Sequence, residues 1–381
     1  MKEYYIWLIK VFGYANPIVT ELLERFGSAK EIYSAFKSNI AAAGAEYAIA
    51  AEKTSLESAA EILDGLESKS VTTITIEDEL YPETLRNSEN PPCVIFALGN
   101  TGLLNNKLIS VTGSRKITDY VVKAETAICE KLCENYTLVA SMTAGCEQLA
   151  CITASGLGKG CIEIMPCGFA CEYPKGSRVL RQRLLMNGGC IISEFLPDVR
   201  SSNANFLRRA RIFGTISKAM IVFQAGVNSG SLNAAKYSPA LFFLPPNNIF
   251  AKEYAGAVQC VRNGAHLYLS EEDIHHVFSD DFSPYKVEIK KAKQEKKSPA
   301  PQKDINEKSP TESIKPPAEI EETPLHHSVL AQIVKAGKPI TFDEIYRNED
   351  TDISTLNEVL FDLEILEKIN AVPGSRYVLR N

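Results

Sequence analysis

The chain is poor in tryptophan (one), methionine (five) and histidine (five). Its histidines, His266, His275, His276, His326 and His327, lie far in sequence from most of its cysteines. No Cys-x-x-Cys pair occurs. The nearest spacings, Cys129/Cys133 and Cys167/Cys171, are those of Cys-x-x-x-Cys, which does not suit a zinc ribbon. The ten cysteines therefore read as reduced, buried small hydrophobes, and neither a metal nor a cofactor is expected. No apolar run approaches the roughly 20 residues that span a bilayer. The opening MKEYYIWLIKVFGYANP is interrupted too early for a signal peptide. A cytoplasmic protein without a membrane partner is expected.

Nor is there an excess of positive charge, since the formal net charge is -6. That total alone argues against a general binder of polyanions. Its distribution argues otherwise. Residues 1–107 carry -6, residues 108–275 carry +4, residues 276–325 carry -1 and residues 326–381 carry -3. Within 175–211, Lys175, Arg178, Arg181, Arg183, Arg200, Arg208, Arg209 and Arg211 face only Glu194 and Asp198. Such a run is commonly a solvated helix face. Its arginines also suit bidentate phosphate contacts.

Four segments follow from the patterning. Residues 1–70 predict short helices: Tyr4, Leu8 and Val11 recur at helical spacing, then Ile18, Leu22, Leu23 and Phe26, with Gly13 and Gly27 as breaks. Residues 71–283 predict an α/β domain. Val71, Ile74 and Ile76 begin an extended run, and Val94–Leu98 is a short strand. Strand-length apolar runs then recur at Leu108–Thr112, Leu138–Met142, Ile162–Pro166, Cys190–Ser193, Ala219–Phe223 and Leu241–Leu244. Helical stretches such as Val121–Asn135 and Gly176–Asn187 separate them. Continuous apolar strands alternating with helices mark a Rossmann-like, doubly wound, mostly parallel sheet. Residues 284–325, with seven of the 19 prolines, predict a disordered linker. Residues 326–381 predict a winged helix: helices around Val329–Val334 and Ser354–Glu367, then a hairpin of Ile369–Val372 and Tyr377–Leu379. Its helix Ser354–Glu367 carries Glu358, Asp362, Glu364 and Glu367, so a protein contact suits it better than a phosphate backbone.

Ligands of such sheets sit beyond the carboxyl ends of the strands. Gly113-Ser114-Arg115 follows one strand, and Ser229-Gly230-Ser231 lies in the loop after another. Each suits an anion or a plain turn. Asn205-Phe206-Leu207-Arg208-Arg209-Ala210-Arg211 places one aromatic beside three arginines. Phe206 would stack on a base while the arginines hold phosphates; a buried ring beside a solvated face is the plainer alternative. The convergence of these segments in the one positive domain favours a phosphate-bearing ligand.

The strings V-T-G-S-R (111–115), E-Y-P-K-G-S (172–177), I-S-E (192–194), F-L-R-R-A-R-I (206–212) and S-G-S-L (229–232) are similar, in this order, to those of the DprA/Smf family of bacterial DNA-processing proteins. Tyr81-Pro82, Pro91-Pro92 and Val94–Gly99 resemble that family's lead-in to its sheet. The resemblance implies a small N-terminal domain of SAM or helix-hairpin-helix type. It implies a homodimer that binds single-stranded DNA, loads the RecA recombinase in natural transformation, and is not an enzyme. Carried over by position, Gly113, Ser114, Arg115, Lys175, Phe206, Arg208, Arg209, Arg211, Ser229, Gly230 and Ser231 are the implied DNA contacts. The family's S-G-x-A-x-G-I-D reads here Ala140-Ser141-Met142-Thr143-Ala144-Gly145-Cys146-Glu147, with Cys151 where a His is usual. Leu207 and Ala210 replace a Pro and an Asn, and Gln224 replaces an acidic residue. These departures leave room for a scaffold without DNA binding. A nucleotide-binding or nucleotide-cleaving enzyme, with Glu147 or Glu194 as acid or base, is the other alternative.

Overall fold

The computed structural model describes residues 1–38, 45–279, 281–284, 323–349, 351, 355–356, 359–360, 362–363, 368–372 and 376–380. Most of the expected linker (285–322) and most of the expected helix Ser354–Glu367 lie outside these residues. The chain forms two units, Met1–Lys290 and Lys291–Asn381.

Among the described residues, five helices open the first unit: α1 (Lys2–Phe12), α2 (Pro17–Phe26), α3 (Ala29–Ser38), α4 (Ala45–Lys53) and α5 (Leu56–Glu67). Their ends are written in the sequence. The Asn16 side chain accepts from the Ile18 amide and Pro17 occupies the first turn of α2, while Gly27 at φ 82° closes it. Helix α1 is buried nearly all round, through Tyr5, Ile6, Trp7, Leu8, Ile9, Val11 and Phe12. Trp7 meets Tyr33 edge-on at 5.1 Å and donates to the Thr54 carbonyl at 3.0 Å. This cluster also takes in Val71, Cys93, Val94 and Phe96, so the N-terminal helices share a core with the edge of the sheet.

That sheet has nine strands: β1 (Val71–Thr75), β2 (Val94–Gly99), β3 (Leu108–Thr112), β4 (Thr137–Ala140), β5 (Ile162–Ile164), β6 (Cys190–Ser193), β7 (Ala219–Val222), β8 (Leu241–Phe243) and β9 (His266–Leu267). Their order is β1-β2-β6-β5-β4-β3-β7-β8-β9. Strands β3 to β9 run parallel; β2 pairs antiparallel with both β1 and β6. Between them come α6 (Glu83–Arg86), α7 (Asp119–Leu132), α8 (Cys146–Gly156), α9 (Arg178–Met186), α10 (Asn203–Thr215), α11 (Leu232–Ala235), α12 (Ala255–Arg262) and α13 (Glu271–Val277). Both faces are covered. Ala219 and Ile221 of β7 join one core with α7, α8 and α13, while Met220 and Val222 join the other with α10 and α12. This alternation of the strand is why its apolar run is continuous.

From β3 the chain steps outward through β4, β5 and β6, then returns to place β7 on the opposite flank of β3. The switch point therefore lies between β3 and β7, and the crevice beyond their carboxyl ends is where this architecture holds ligands.

In the second unit, α14 (Pro324–Ala336), β10 (Ile340–Thr341) and α15 (Phe342–Tyr346) precede the antiparallel pair β11 (Ile369–Val372) and β12 (Arg376–Leu379). Strand β10 adds to β12. Val329, Ile333, Ile345, Leu356, Leu360, Leu363 and Tyr377 form its core. Of the four acidic residues expected on the helix before the hairpin, Asp362 is described, and it pairs with His326 at 3.0 Å.

Candidate functional site

The loop after β3 is held from both flanks of the switch point. On the α8 side, the Cys146 amide donates to the Ser114 carbonyl at 3.2 Å. A Cβ on Gly113 would stand 2.3 Å from Cys146 Sγ, and one on Gly145, whose φ is 94°, would stand 2.2 Å from the Ser114 carbonyl oxygen. Both glycines are sterically required for the two loops to touch. On the β7 side, Ser114 Oγ donates to the Gln224 carbonyl at 3.1 Å. The Gln224 side chain donates through Nε2 to the Lys116 carbonyl at 2.9 Å and accepts at Oε1 from the Thr118 amide at 3.3 Å. An ionised carboxylate could accept there but not donate, so the amide that departs from the family pattern is the group this loop needs. The backbone of 113–118 is thus fixed while the side chains of Arg115 and Lys116 are exposed.

Beneath the rim lies a buried polar cluster. Glu147 accepts from Thr112 Oγ1 at 2.6 Å and from Ser141 Oγ, and Arg209 Nη1 stands 3.6 Å from its second oxygen. Ser141 turns to this carboxylate just past the end of β4, which spans Thr137–Ala140 rather than the expected run Leu138–Met142. The Arg209 guanidinium lies 5.9 Å from the Phe206 ring and 5.3 Å from that of Phe213. Its Nε and Nη1 are buried without a hydrogen-bond partner among the described residues. Phe206 is half-buried and meets Tyr173 edge-on at 4.8 Å, which ties the loop after β5 to α10. That loop is anchored again by Arg181, which grips Glu163 of β5 at 2.6–3.0 Å and donates to the Tyr173 carbonyl at 2.5 Å. Lys175 stays exposed beside Gly176, whose amide donates to Glu172.

Ser229, Gly230 and Ser231 flank the crevice from β7. The two hydroxyls share a hydrogen bond at 2.7 Å, Ser231 is buried, and Gly230 has open space around it.

One expected DNA contact turns the other way. Arg211 is buried, donates to Glu194 at 2.7 Å and to the Asn90 carbonyl, and so leaves the set of cations that face solvent. It lies two positions on from Arg209, about 200° around a helix. Glu194 is pushed up from its ordinary pKa by burial, against the pull of Arg211 and Arg208. With Tyr14, Asn90, Pro91 and Pro92 it lines a small open recess beside the N-terminal helices. Arg208 donates to Asn205 at 2.9 Å and is half-buried. Neither a solvated face nor a uniform phosphate grip describes the Arg-rich run: Arg181, Arg209 and Arg211 face Glu163, Glu147 and Glu194 inside the protein. Ala210 packs in the apolar core, and Leu207 is exposed. Cys151 is likewise a core residue.

Three further exposed side chains stand on these loops outside the set expected from the sequence: Lys116, and Phe250 and Lys252 after β8. The Ile249-Phe250 pair in an asparagine-containing loop was the available signal for the last two. Among the described residues no cluster of His, Cys, Asp and Glu is placed to hold a metal, and no helix is long and apolar enough to cross a membrane.

Comparison with known proteins agrees with this architecture. The sequence profile of the family described as DNA recombination-mediator protein A matches residues 72–279, more than half of the chain. The chain is 25% identical over 327 residues to protein Smf of Synechocystis, covering 81% of this chain and 80% of that one. It is 27% identical over 219 residues to the DNA processing protein DprA of Bacillus subtilis, covering 56% and 73%. The X-ray structure of DNA processing protein A from Streptococcus pneumoniae superposes with a TM-score of 0.60 at 23% identity, over 72% of this chain and 96% of that one. A sheet that switches direction between β3 and β7, the glycine-locked loop at that point and the profile match together place this chain in the DprA/Smf family of DNA recombination mediators.

Proposed function

We propose that the chain binds single-stranded DNA along the carboxyl rim of the sheet and hands it to the RecA recombinase, as a homodimer, without itself catalysing a reaction. The observation that carries the reading is the loop 113–118, rigid through Gln224 and Cys146 yet presenting Arg115 and Lys116 to solvent at the switch point. Lys175 extends the positive track, Phe206 offers the free part of its ring, and the backbone of Ser229–Ser231 closes the far side. Arg209 acts from beneath by fixing Phe206. Arg211 has no part in DNA contact. In this reading the second unit is a winged-helix module that contacts protein.

Four to six neutralised phosphates would give a log–log salt slope of about -3 to -4. Fluorescence anisotropy with oligo-dT at several salt concentrations measures it. Arg115→Ala is expected to weaken binding and make the slope shallower by about 0.7. Absence of binding at low salt, or a flat salt response, overturns the reading.

A second reading rests on the unpaired donors of Arg209 beside Glu147, which would suit a nucleoside monophosphate. Base release from nucleotides, abolished in Glu147→Gln, would favour it.

A further inference from the structure

We propose that the DNA track continues past Arg115 onto the loop after β8, where Phe250 stacks on a base and Lys252 holds a neighbouring phosphate. The inference rests on the single-strand reading above and assigns it a further subsite.

Phe250 is the most exposed large hydrophobic side chain among the described residues, at 89%, and Ile249 beside it is 59% exposed. A ring this open leaves a whole aromatic face available for a base to stack on. The loop that carries it is nonetheless fixed. Its start is held by Tyr120 Oη, which donates to the Pro245 carbonyl at 2.6 Å. Its end is held by Tyr254, whose hydroxyl lies 3.1 Å from Thr118 Oγ1. Tyr120 and Thr118 belong to the segment that follows Arg115, so the same structure positions both subsites. At the apex, Asn248 accepts from the Phe250 amide through its side chain at 3.0 Å and from the Ala251 amide through its carbonyl at 3.2 Å. The ring is left projecting from a turn that is itself rigid.

The β8 loop also packs on the glycine loop of β7. A Cβ on Gly256 would stand 2.3 Å from the Gly226 carbonyl oxygen, and one on Gly226 would stand 3.3 Å from that of Lys252. Lys252 is exposed. An exposed cation two residues from an exposed ring, on a loop braced by the segment that follows Arg115 and Lys116, matches a nucleotide, which offers one flat apolar face and one negative group. The neighbouring carboxylates Asp119 and Glu253 are also exposed and keep the patch from being uniformly positive. A protein partner would need a broader apolar surface than two side chains flanked by Asn247, Asn248 and Lys252 provide.

The test uses the full chain. Trp7, the one natural tryptophan, is fully buried, so Phe250→Trp adds a solvent-accessible tryptophan, and the unsubstituted protein serves as the control for Trp7 emission. Its fluorescence is expected to be quenched by oligo-dT of about 20 nucleotides. Phe250→Ala should weaken binding of that oligomer by about five- to tenfold. It should change binding of oligo-dT of about six nucleotides by less than twofold, because the shorter strand is filled by the Arg115 subsite. Arg115→Ala should weaken both. Unquenched tryptophan together with unaltered long-strand binding in Phe250→Ala, while Arg115→Ala still loses affinity, overturns the subsite and leaves the single-strand reading standing. Failure of the unsubstituted protein to bind either oligomer overturns that reading, and the subsite with it. A change of sedimentation in Phe250→Ala with DNA binding intact assigns the ring to a contact between copies and also overturns the proposal.

Discussion

Arg115 and Arg211 were equivalent in the sequence, both arginines of motifs expected to grip phosphate, and the fold gives them opposite surroundings. Arg115 stands on a loop whose backbone is fixed and whose side chain is exposed. Arg211 is sealed against Glu194 and Asn90 on the opposite side of its helix from Arg209. One cation is kept free by rigidity around it, and the other is consumed in holding the N-terminal helices' side of the sheet. A count of basic residues is therefore a poor measure of a binding surface.

The sharpest way to break this contrast is to truncate each arginine and follow unfolding in urea. Arg211→Ala leaves Glu194 buried without its charge partner, and such losses cost about 3–5 kcal/mol. Arg115→Ala should stay within about 0.5 kcal/mol of the unsubstituted protein, since an exposed side chain is removed. Replacing the pair together, as Arg211→Met with Glu194→Gln, should recover most of the loss. Equal stabilities of the two single variants would erase the distinction.

A second contrast sets Glu194 against Glu125. Glu194 has Arg211; Glu125, in α7, is fully buried and among the described residues has no cation beside it, only the weak donor of the Cys146 thiol. Burial pushes its carboxyl well above the ordinary range; the hydrogen bond from the Cys146 thiol opposes this, and the charge on Glu147 adds to it. The native state then keeps a proton that the unfolded chain releases above about pH 4.3. Stability must fall as pH rises from there toward the native pKa, by up to about 1.4 kcal/mol per pH unit. Glu125→Gln carries no titrating group. Its stability relative to the unsubstituted protein should therefore be greater at pH 8 than at pH 5, read by thermal melts at both. The same advantage at both values would show that Glu125 is ionised in the native state.

The sheet was legible because burial on both faces leaves continuous apolar runs. Leu108–Thr112 and Cys190–Ser193 keep the limits their composition suggests. The two-residue strand β9 was not, since His266 and Leu267 have no pattern of their own and pair only because β8 presents an edge. For the site, the glycine loops were legible as turns. The destinations of Arg181, Arg209 and Arg211 were not: their carboxylate partners lie 17 to 62 positions away in the chain, and only the parallel crossovers bring them together. Helical phase did hold part of the answer, because residues 209 and 211 cannot face the same way on α10.

Gln224 gives a smaller expected loss than Arg211 and the most specific one. At the end of β7 it joins the two halves of the switch point, donating to Lys116 and accepting from Thr118. Gln224→Glu restores the acidic residue usual in the family but removes the donor, and sets a carboxylate oxygen against the Lys116 carbonyl. An unsatisfied buried group of this kind costs about 1–3 kcal/mol. The loss should appear twice, as lowered stability and as weaker oligo-dT binding. Arg115→Ala should show only the second. If Gln224→Glu binds DNA undiminished, the loop does not need its bracing, and the exposed charge alone carries the site.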